Sequence, residues 1–233
     1  MTPPPERVAG LATRKTLQER SHAGARISLA TIYDLKPRFQ ALLRPVAAAL
    51  VARGLTANDV TRCALALSVA QGAWLAFMPA SPWPLLALPL VLFVRMAMNA
   101  IDGIMAKEHG QATPAGAVLN EISDLVADAA LYLPLALVAG LNASIVVLVV
   151  IAGIIAEMTG ALGPMLGAGR CYAGPFGKSD RAFAFGLLAV LLGVGFAPGL
   201  WSTLYLAALL LLSALTVLNR ARRIVAEAKG KAA

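Results

Sequence analysis

Residues 99–128 read NAIDGIMAKEHGQATPAGAVLNEISDLVAD, and the reading of this stretch decides the fold. It joins two long apolar runs, yet it concentrates polar groups. Asn99 and Asp102 stand one helical turn apart. Gly116, Asn120, Asp124 and Asp128 recur at every fourth position, which aligns them on one helix face. A polar stripe inside apolar helices is costly in lipid, and ionisable groups placed there mark functional sites. The rest of the chain reads as the frame that holds this stretch.

Composition agrees with a membrane setting. The chain has 233 residues, of which 59% are hydrophobic and 14% charged, with a mean hydropathy of +0.74. Soluble domains are charged at roughly a quarter of their positions. The sequence therefore predicts an all-α integral membrane protein built as one compact domain. A net charge of +8 raises nucleic acid as a partner, but the placement of the charges points to the lipid bilayer instead. Residues 1–30 are polar, lack an apolar core and carry three consecutive prolines with Arg7, Arg14, Lys15, Arg20 and Arg26. They read as a mobile basic tail and not as a cleavable signal. Cys63 and Cys171 are too few for a disulfide framework and read as reduced. His22 and His109 lie too far apart in sequence to suggest a histidine metal site.

Residues 31–53 form the next unit. Ile32, Leu35, Phe39, Leu42, Leu43, Val46 and Leu50 recur at helical spacing, with Lys36, Arg38, Arg44 and Arg53 on other faces. That pattern predicts an amphipathic helix lying in the membrane interface, bent or restarted at Pro37 and Pro45. A short soluble helix packed on the domain is the competing reading. Thr56 and Asp59 then cap a first membrane helix running to about Met78. Further spans follow at about Leu85–Ala106, Pro114–Ala139, Ser144–Leu166, Arg181–Phe196 and Leu200–Leu218. Six spans thus fill residues 54–219, and residues 220–233 form a basic tail. Of the 20 Lys and Arg residues, all but Arg95 fall on the tails, in the loops after spans two and four, or at adjoining helix ends. The positive-inside rule then puts both termini and the site in the cytoplasm.

Spans two and three are antiparallel neighbours. Asn99 and Asp102 descend on one; Asn120, Asp124 and Asp128 return on the other. Carboxylate and amide oxygens converging in this way suit a hard cation such as Mg2+, Mn2+ or Ca2+, the kind of ion that bridges phosphates in transfer chemistry. A structural polar seam between helices is the alternative.

The spacing resembles that of the CDP-alcohol phosphatidyltransferases, which carry D-x-x-D-G-x-x-A-R, eight residues, then G-x-x-x-D-x-x-x-D. Here Asn99, Asp102, Gly103, Ala106 and Lys107 are followed, after eight residues, by Gly116, Asn120 and Asp124. The resemblance extends to an interfacial N-terminal helix and six spans. It implies transfer of a phosphatidyl group from CDP-diacylglycerol to an alcohol, with release of CMP, a divalent metal (Mg2+ or Mn2+) and a homodimer in a bacterial inner membrane. It assigns metal binding to Asn99, Asp102, Asn120 and Asp124, the base to Asp124, and nucleotide contacts to Asp102, Gly103, Ala106, Lys107 and Gly116. Asn99 and Asn120 replace family aspartates and Lys107 an arginine, as in a divergent bacterial subgroup. The two asparagines also motivate a second reading, a weakened or inactive homologue that binds CDP-lipid as a scaffold. Transfer of a CDP-linked headgroup to diacylglycerol is a third.

Two readings stand apart from the resemblance. Arg95 and Asp128 lie one turn deeper than Asn99 and Asp124, so antiparallel packing predicts an Arg95–Asp128 ion pair supporting the site, with Glu157 as the competing partner. Lys178 and Arg181, at the start of span five, read either as binders of donor phosphate or a phosphorylated acceptor, or as ordinary flanking charge. Gly153, Gly160, Gly163 and Gly167 read as close-packing positions within the bundle or in a dimer.

Overall fold

The computed structural model describes residues 32–232, and every regular element in them is a helix. The basic tail expected over residues 1–30 lies outside the described residues. Helix α1 spans Ile32–Ala52 and runs unbroken through Pro37 and Pro45; its residues from Leu42 onward belong to the compact body. Helix α2 is Ala57–Phe77, α3 Pro82–Glu108, α4 Pro114–Tyr132, α5 Ala143–Ala161, α6 Lys178–Gly193 and α7 Leu200–Ala232.

The local chemistry explains these boundaries. Thr56 caps α2 through a reciprocal box: its hydroxyl accepts from the Asp59 amide, and the Asp59 carboxylate accepts from the Thr56 amide. Thr113 caps α4 by accepting from the Gly116 amide, with Pro114 at the first helical position. The α-helix of α4 stops at Tyr132, short of the expected Ala139. Pro134 has no N–H to continue it, and the chain tightens into a 3-10 turn over Leu133–Leu137. Helix α7 departs the other way. It continues beyond Leu218 to Ala232, because the end of an apolar run marks the end of a span and not of a helix. Ala, Arg, Glu and Lys in that tail are good helix formers.

Among the described residues, four helical segments are long and apolar enough to cross a membrane: Ala57–Phe77, Pro82–Glu108, Ala143–Leu166 and Leu200–Gly230. Helix α4 carries Glu121, Asp124 and Asp128, and α6 is only 16 residues long. Large apolar side chains such as Leu90, Phe93 and Met96 on α3 and Leu204 and Leu211 on α7 are exposed, an outer surface that suits hydrocarbon better than water.

Helix α2 packs against α3 and α4, α3 against α6, and α5 against α7. The main core joins Leu75, Leu88, Leu131, Leu135, Val149, Leu188 and Leu206, with Tyr132 stacked on Phe185 at 4.3 Å between ring centroids. A smaller core of Ala47, Val60, Ile104 and Met105 fixes the far end of α3 against α1 and α2. At the α2–α4 crossing Gly72 lets backbone meet backbone: a Cβ there would lie 1.9 Å from the Ala130 carbonyl oxygen. Gly72→Ala is therefore expected to cost about 1–3 kcal/mol, read as a lower melting temperature of the detergent-solubilised protein; an unchanged melting temperature would refute the close crossing.

Candidate functional site

Asn99 and Asp102 reach the site from the last turns of α3, and Asn120, Asp124 and Asp128 from α4. The two helices meet there through side chains: the Asn99 amide donates to Asp124 Oδ1 at 2.9 Å. Asp102 is buried and accepts from the Thr61 hydroxyl of α2 at 2.8 Å. Asn120 is half-buried on the same face of α4 as Asp124. Open space lies where a side chain on Gly103 would extend, and a Cβ on Gly116 would touch Asn58 Oδ1 at 2.8 Å. Ala106 is half-buried and Lys107 exposed at the end of α3.

The Arg95–Asp128 pair is present. Arg95 Nη1 donates to Asp128 Oδ1 at 2.6 Å, and Nη2 reaches both the Asp124 carbonyl and its Oδ1, at 3.1 and 3.2 Å. The pair is one link in a longer chain. Lys178 Nζ lies 2.5 Å from Asp124 Oδ1. Arg181 Nη2 donates to Asp128 Oδ2 at 3.1 Å and to Glu157 Oε1 at 3.0 Å. Arg220 Nη1 lies 3.4 Å from the same Glu157 oxygen. Lys178, Asp124, Arg95, Asp128, Arg181, Glu157 and Arg220 thus alternate in sign and tie α3, α4, α5, α6 and α7 together. Glu157, set against Arg95 in the sequence reading, pairs with Arg181 and Arg220 instead.

The structure separates Lys178 from Arg181. Lys178 has a side chain 33% exposed and faces the Asp124 carboxylate. Arg181 is 2% exposed and turned inward. The cause is local. Gly174, at φ +135°, comes so close to Thr216 that a Cβ would lie 2.5 Å from its methyl group, and the Thr216 hydroxyl accepts from the Phe176 amide. This seats the start of α6 on α7. Gly153 leaves the groove Arg181 crosses, since a Cβ there would stand 3.0 Å from Arg181 Cδ. Gly160 and Gly163 make room for the Cys171 and Gly169 carbonyls, so three of the four glycines noted in sequence serve packing within the chain.

Thr61, Asn58 and Arg220 were missed by sequence reasoning. Thr61 and Asn58 lie within the first two turns of a capped helix, where a polar residue reads as part of the helix start. Arg220 opens a basic run and reads as flanking charge. Farther out, Arg170 makes a bidentate pair with Glu121 and lies 5.3 Å from the Tyr172 ring. Burial works against the charge of Arg170, and Glu121 outweighs it, so the guanidinium pKa is raised.

Among the described residues no three of His, Cys, Asp and Glu are grouped to hold a metal. The oxygen set of Asp102, Asp124, Asn99 and Asn120 still fits one hard divalent cation in donor type. Asp124 Oδ1 is taken by Lys178, Arg95 and Asn99, which leaves Oδ2, the Asp102 carboxylate and the two amide oxygens as donors.

The chain is similar to the inner membrane protein YnbA of Escherichia coli K12, 43% identical over 195 residues that cover 84% of this chain and 96% of the relative. It is 28% identical to the archaetidylinositol phosphate synthase of Aeropyrum pernix, over 67% of this chain and 77% of that one. Crystal structures of the Mycobacterium tuberculosis phosphatidylinositol phosphate synthase superpose with a TM-score of 0.65 at 23% identity. One has CDP-diacylglycerol bound, with 77% of this chain and 92% of that one covered. Another holds manganese and citrate, with 77% and 87% covered. No family model matches the chain.

Asp128 is buried between two guanidiniums, whereas Glu121 and Arg170 are part-exposed. Asp128→Ala is therefore expected to cost about 3–5 kcal/mol and Glu121→Ala within about 1 kcal/mol. Thermal unfolding of the two variants side by side checks this, and equal shifts would count against the buried network.

Proposed function

We propose, from the premise that this chain belongs to the CDP-alcohol phosphatidyltransferase family, that it transfers the phosphatidyl group of CDP-diacylglycerol to an alcohol and releases CMP. The observation that carries this reading is the bond from Asn99 to Asp124, which joins the two halves of the spaced motif across α3 and α4. In the transfer, the acceptor oxygen forms a bond to the phosphatidyl phosphorus. The bond from that phosphorus to the CMP oxygen breaks, and CMP leaves with the electron pair. The acceptor proton passes to Asp124, whose Oδ2 is the oxygen outside the Lys178–Arg95–Asn99 cluster.

Each neighbour has a part in this proposal. Gly103 leaves space for the nucleotide, with Ala106 and Gly116 along the same motif, and Asp102, held by Thr61, faces it. Lys107 and Lys178 bind donor phosphate. Arg95 and Asp128 set the height and orientation of Asp124 from below. A divalent cation, Mg2+ or Mn2+, would be held by Asp102, Asp124, Asn99 and Asn120 and would offset the charge of the donor diphosphate. For Arg181, its burial and pairing support positioning of Asp128 over direct contact with phosphate or acceptor.

The proposal includes six membrane crossings, with α4 and α6 added to the four apolar segments, and an interfacial α1. At about 1.5 Å per residue, the 19 residues of α4 come close to the thickness of a hydrocarbon core. It also includes a homodimer in a bacterial inner membrane with both termini and the site on the cytoplasmic side, as the charge distribution supports.

One observation favours a second reading, a CDP-lipid binding protein without turnover. Three donors on one oxygen of Asp124, with asparagine at two motif positions, leave little anionic charge for a metal. CMP release from CDP-diacylglycerol by the purified protein separates the two. Turnover is expected with Mg2+ or Mn2+ and a suitable alcohol, and its loss with EDTA. Asp124→Asn is expected to lower the rate by roughly 100- to 10,000-fold while the variant still folds and binds CDP. CDP binding without CMP release, across a panel of alcohols, would establish the binding protein instead.

A further inference from the structure

Two guanidiniums converging on one anion make a phosphate-type site. Arg181 and Arg220 form such a pair, each 2% exposed. The anion between them is supplied by the chain itself: Glu157 Oε1 accepts from Arg181 Nη2 at 3.0 Å and stands 3.4 Å from Arg220 Nη1. The remaining bonds are also internal. Arg220 donates to the carbonyls of Ala156, at 2.6 Å, and Ala173, at 3.2 Å. Arg181 adds Asp128 at 3.1 Å. Its Nη1 has no partner but is fully buried. Arg170, the next cation in the loop, is spent on Glu121.

From this, and resting on the transferase reading above, we infer that the alcohol acceptor carries no phosphate: it is an uncharged hydroxyl compound. Lys178, part-exposed, and Lys107, exposed, are the motif-side cations that the donor diphosphate calls on. A second phosphate, on the acceptor, would then find the Arg181–Arg220 pair already filled by Glu157. Like charges brought together in a partly desolvated site discriminate strongly against the wrong partner. Glu157 is thus a specificity-determining residue that acts by filling an anion position from within.

The test uses the full chain in detergent or nanodiscs, with glycerol and inositol set against glycerol 3-phosphate and inositol 1-phosphate. CMP release is expected with an unphosphorylated acceptor at a kcat/KM at least roughly tenfold above that of its phosphate. A second readout needs no turnover. Glycerol 3-phosphate is expected to leave the melting temperature of the CDP-bound protein unchanged. In Glu157→Gln it is expected to raise that temperature saturably, as the anion shared by Arg181 and Arg220 is lost. Saturable stabilisation of the wild-type protein by glycerol 3-phosphate, or preferred turnover of a phosphorylated acceptor, would overturn the inference and leave the transferase reading standing. Failure of CDP itself to bind would overturn the transferase reading. The wild-type measurements decide the matter even if Glu157→Gln does not fold.

Discussion

A chain of seven charges, alternating in sign from Lys178 to Arg220, holds the rest of this structure in place. Among apolar helices a lone charge is expensive, and removing one member of a buried pair leaves its partner uncompensated. Each interior member of this chain bridges two opposite charges, so α3, α4, α5 and α6 cannot rotate or slide without breaking at least two contacts, and α7 is tied by one more. Apolar packing alone would not fix such a register, because one leucine face against another tolerates sliding. The charges thus act less as a source of stability than as a gauge that sets five helices at one height. Asp124 lies near the exposed end of that gauge, and so its position is determined from below.

The gauge has a steric condition. Guanidiniums can enter the bundle only where backbone stands aside. Gly153 gives way to the Arg181 side chain, Gly160 to the Cys171 carbonyl with Arg220 close behind, and Gly174 to Thr216. The loop between α5 and α6 is folded tightly for the same reason: Phe176 bonds to Thr216, Gly169 to Glu227 and Arg220 to Ala173. It delivers Lys178 to Asp124 with little freedom. Sequence spacing, glycine placement and site geometry are in this sense one constraint.

That unity explains what the sequence disclosed. The motif and the Arg95–Asp128 pair were legible because both follow from helical period and from depth on antiparallel helices, and neither needs a third element. The limits of α4 and α7 were less legible. Hydropathy reports where lipid ends, whereas Pro134 and the helix-forming tail after Leu218 decide where the helix ends. Arg181 and Arg220 were misjudged for a physical reason as well. A cation at the cytoplasmic end of a span normally faces headgroups, and only the distant Glu157 and Asp128 reveal that these two turn inward. Thr61 could be matched to Asp102 only once α2 was known to pack on α3.

The asparagines are part of the same electrostatic design. Asn99 donates to Asp124 at 2.9 Å; an aspartate there would put two carboxylates in contact, with the repulsion that forces one of a pair to keep a proton. An amide removes the repulsion and supplies a hydrogen bond, and Lys178 then needs only one carboxylate to face. The site therefore holds neutral amides and an ammonium beside a single carboxylate, Asp124. On the transferase reading, this shifts work onto the substrate. The donor diphosphate would supply part of the negative charge that a divalent cation held by Asp102, Asp124, Asn99 and Asn120 requires, and it would compete with Asp124 for Lys178. On that reading, donor phosphate drawn to Lys178 would withdraw a positive charge from Asp124, the group that would accept the acceptor proton.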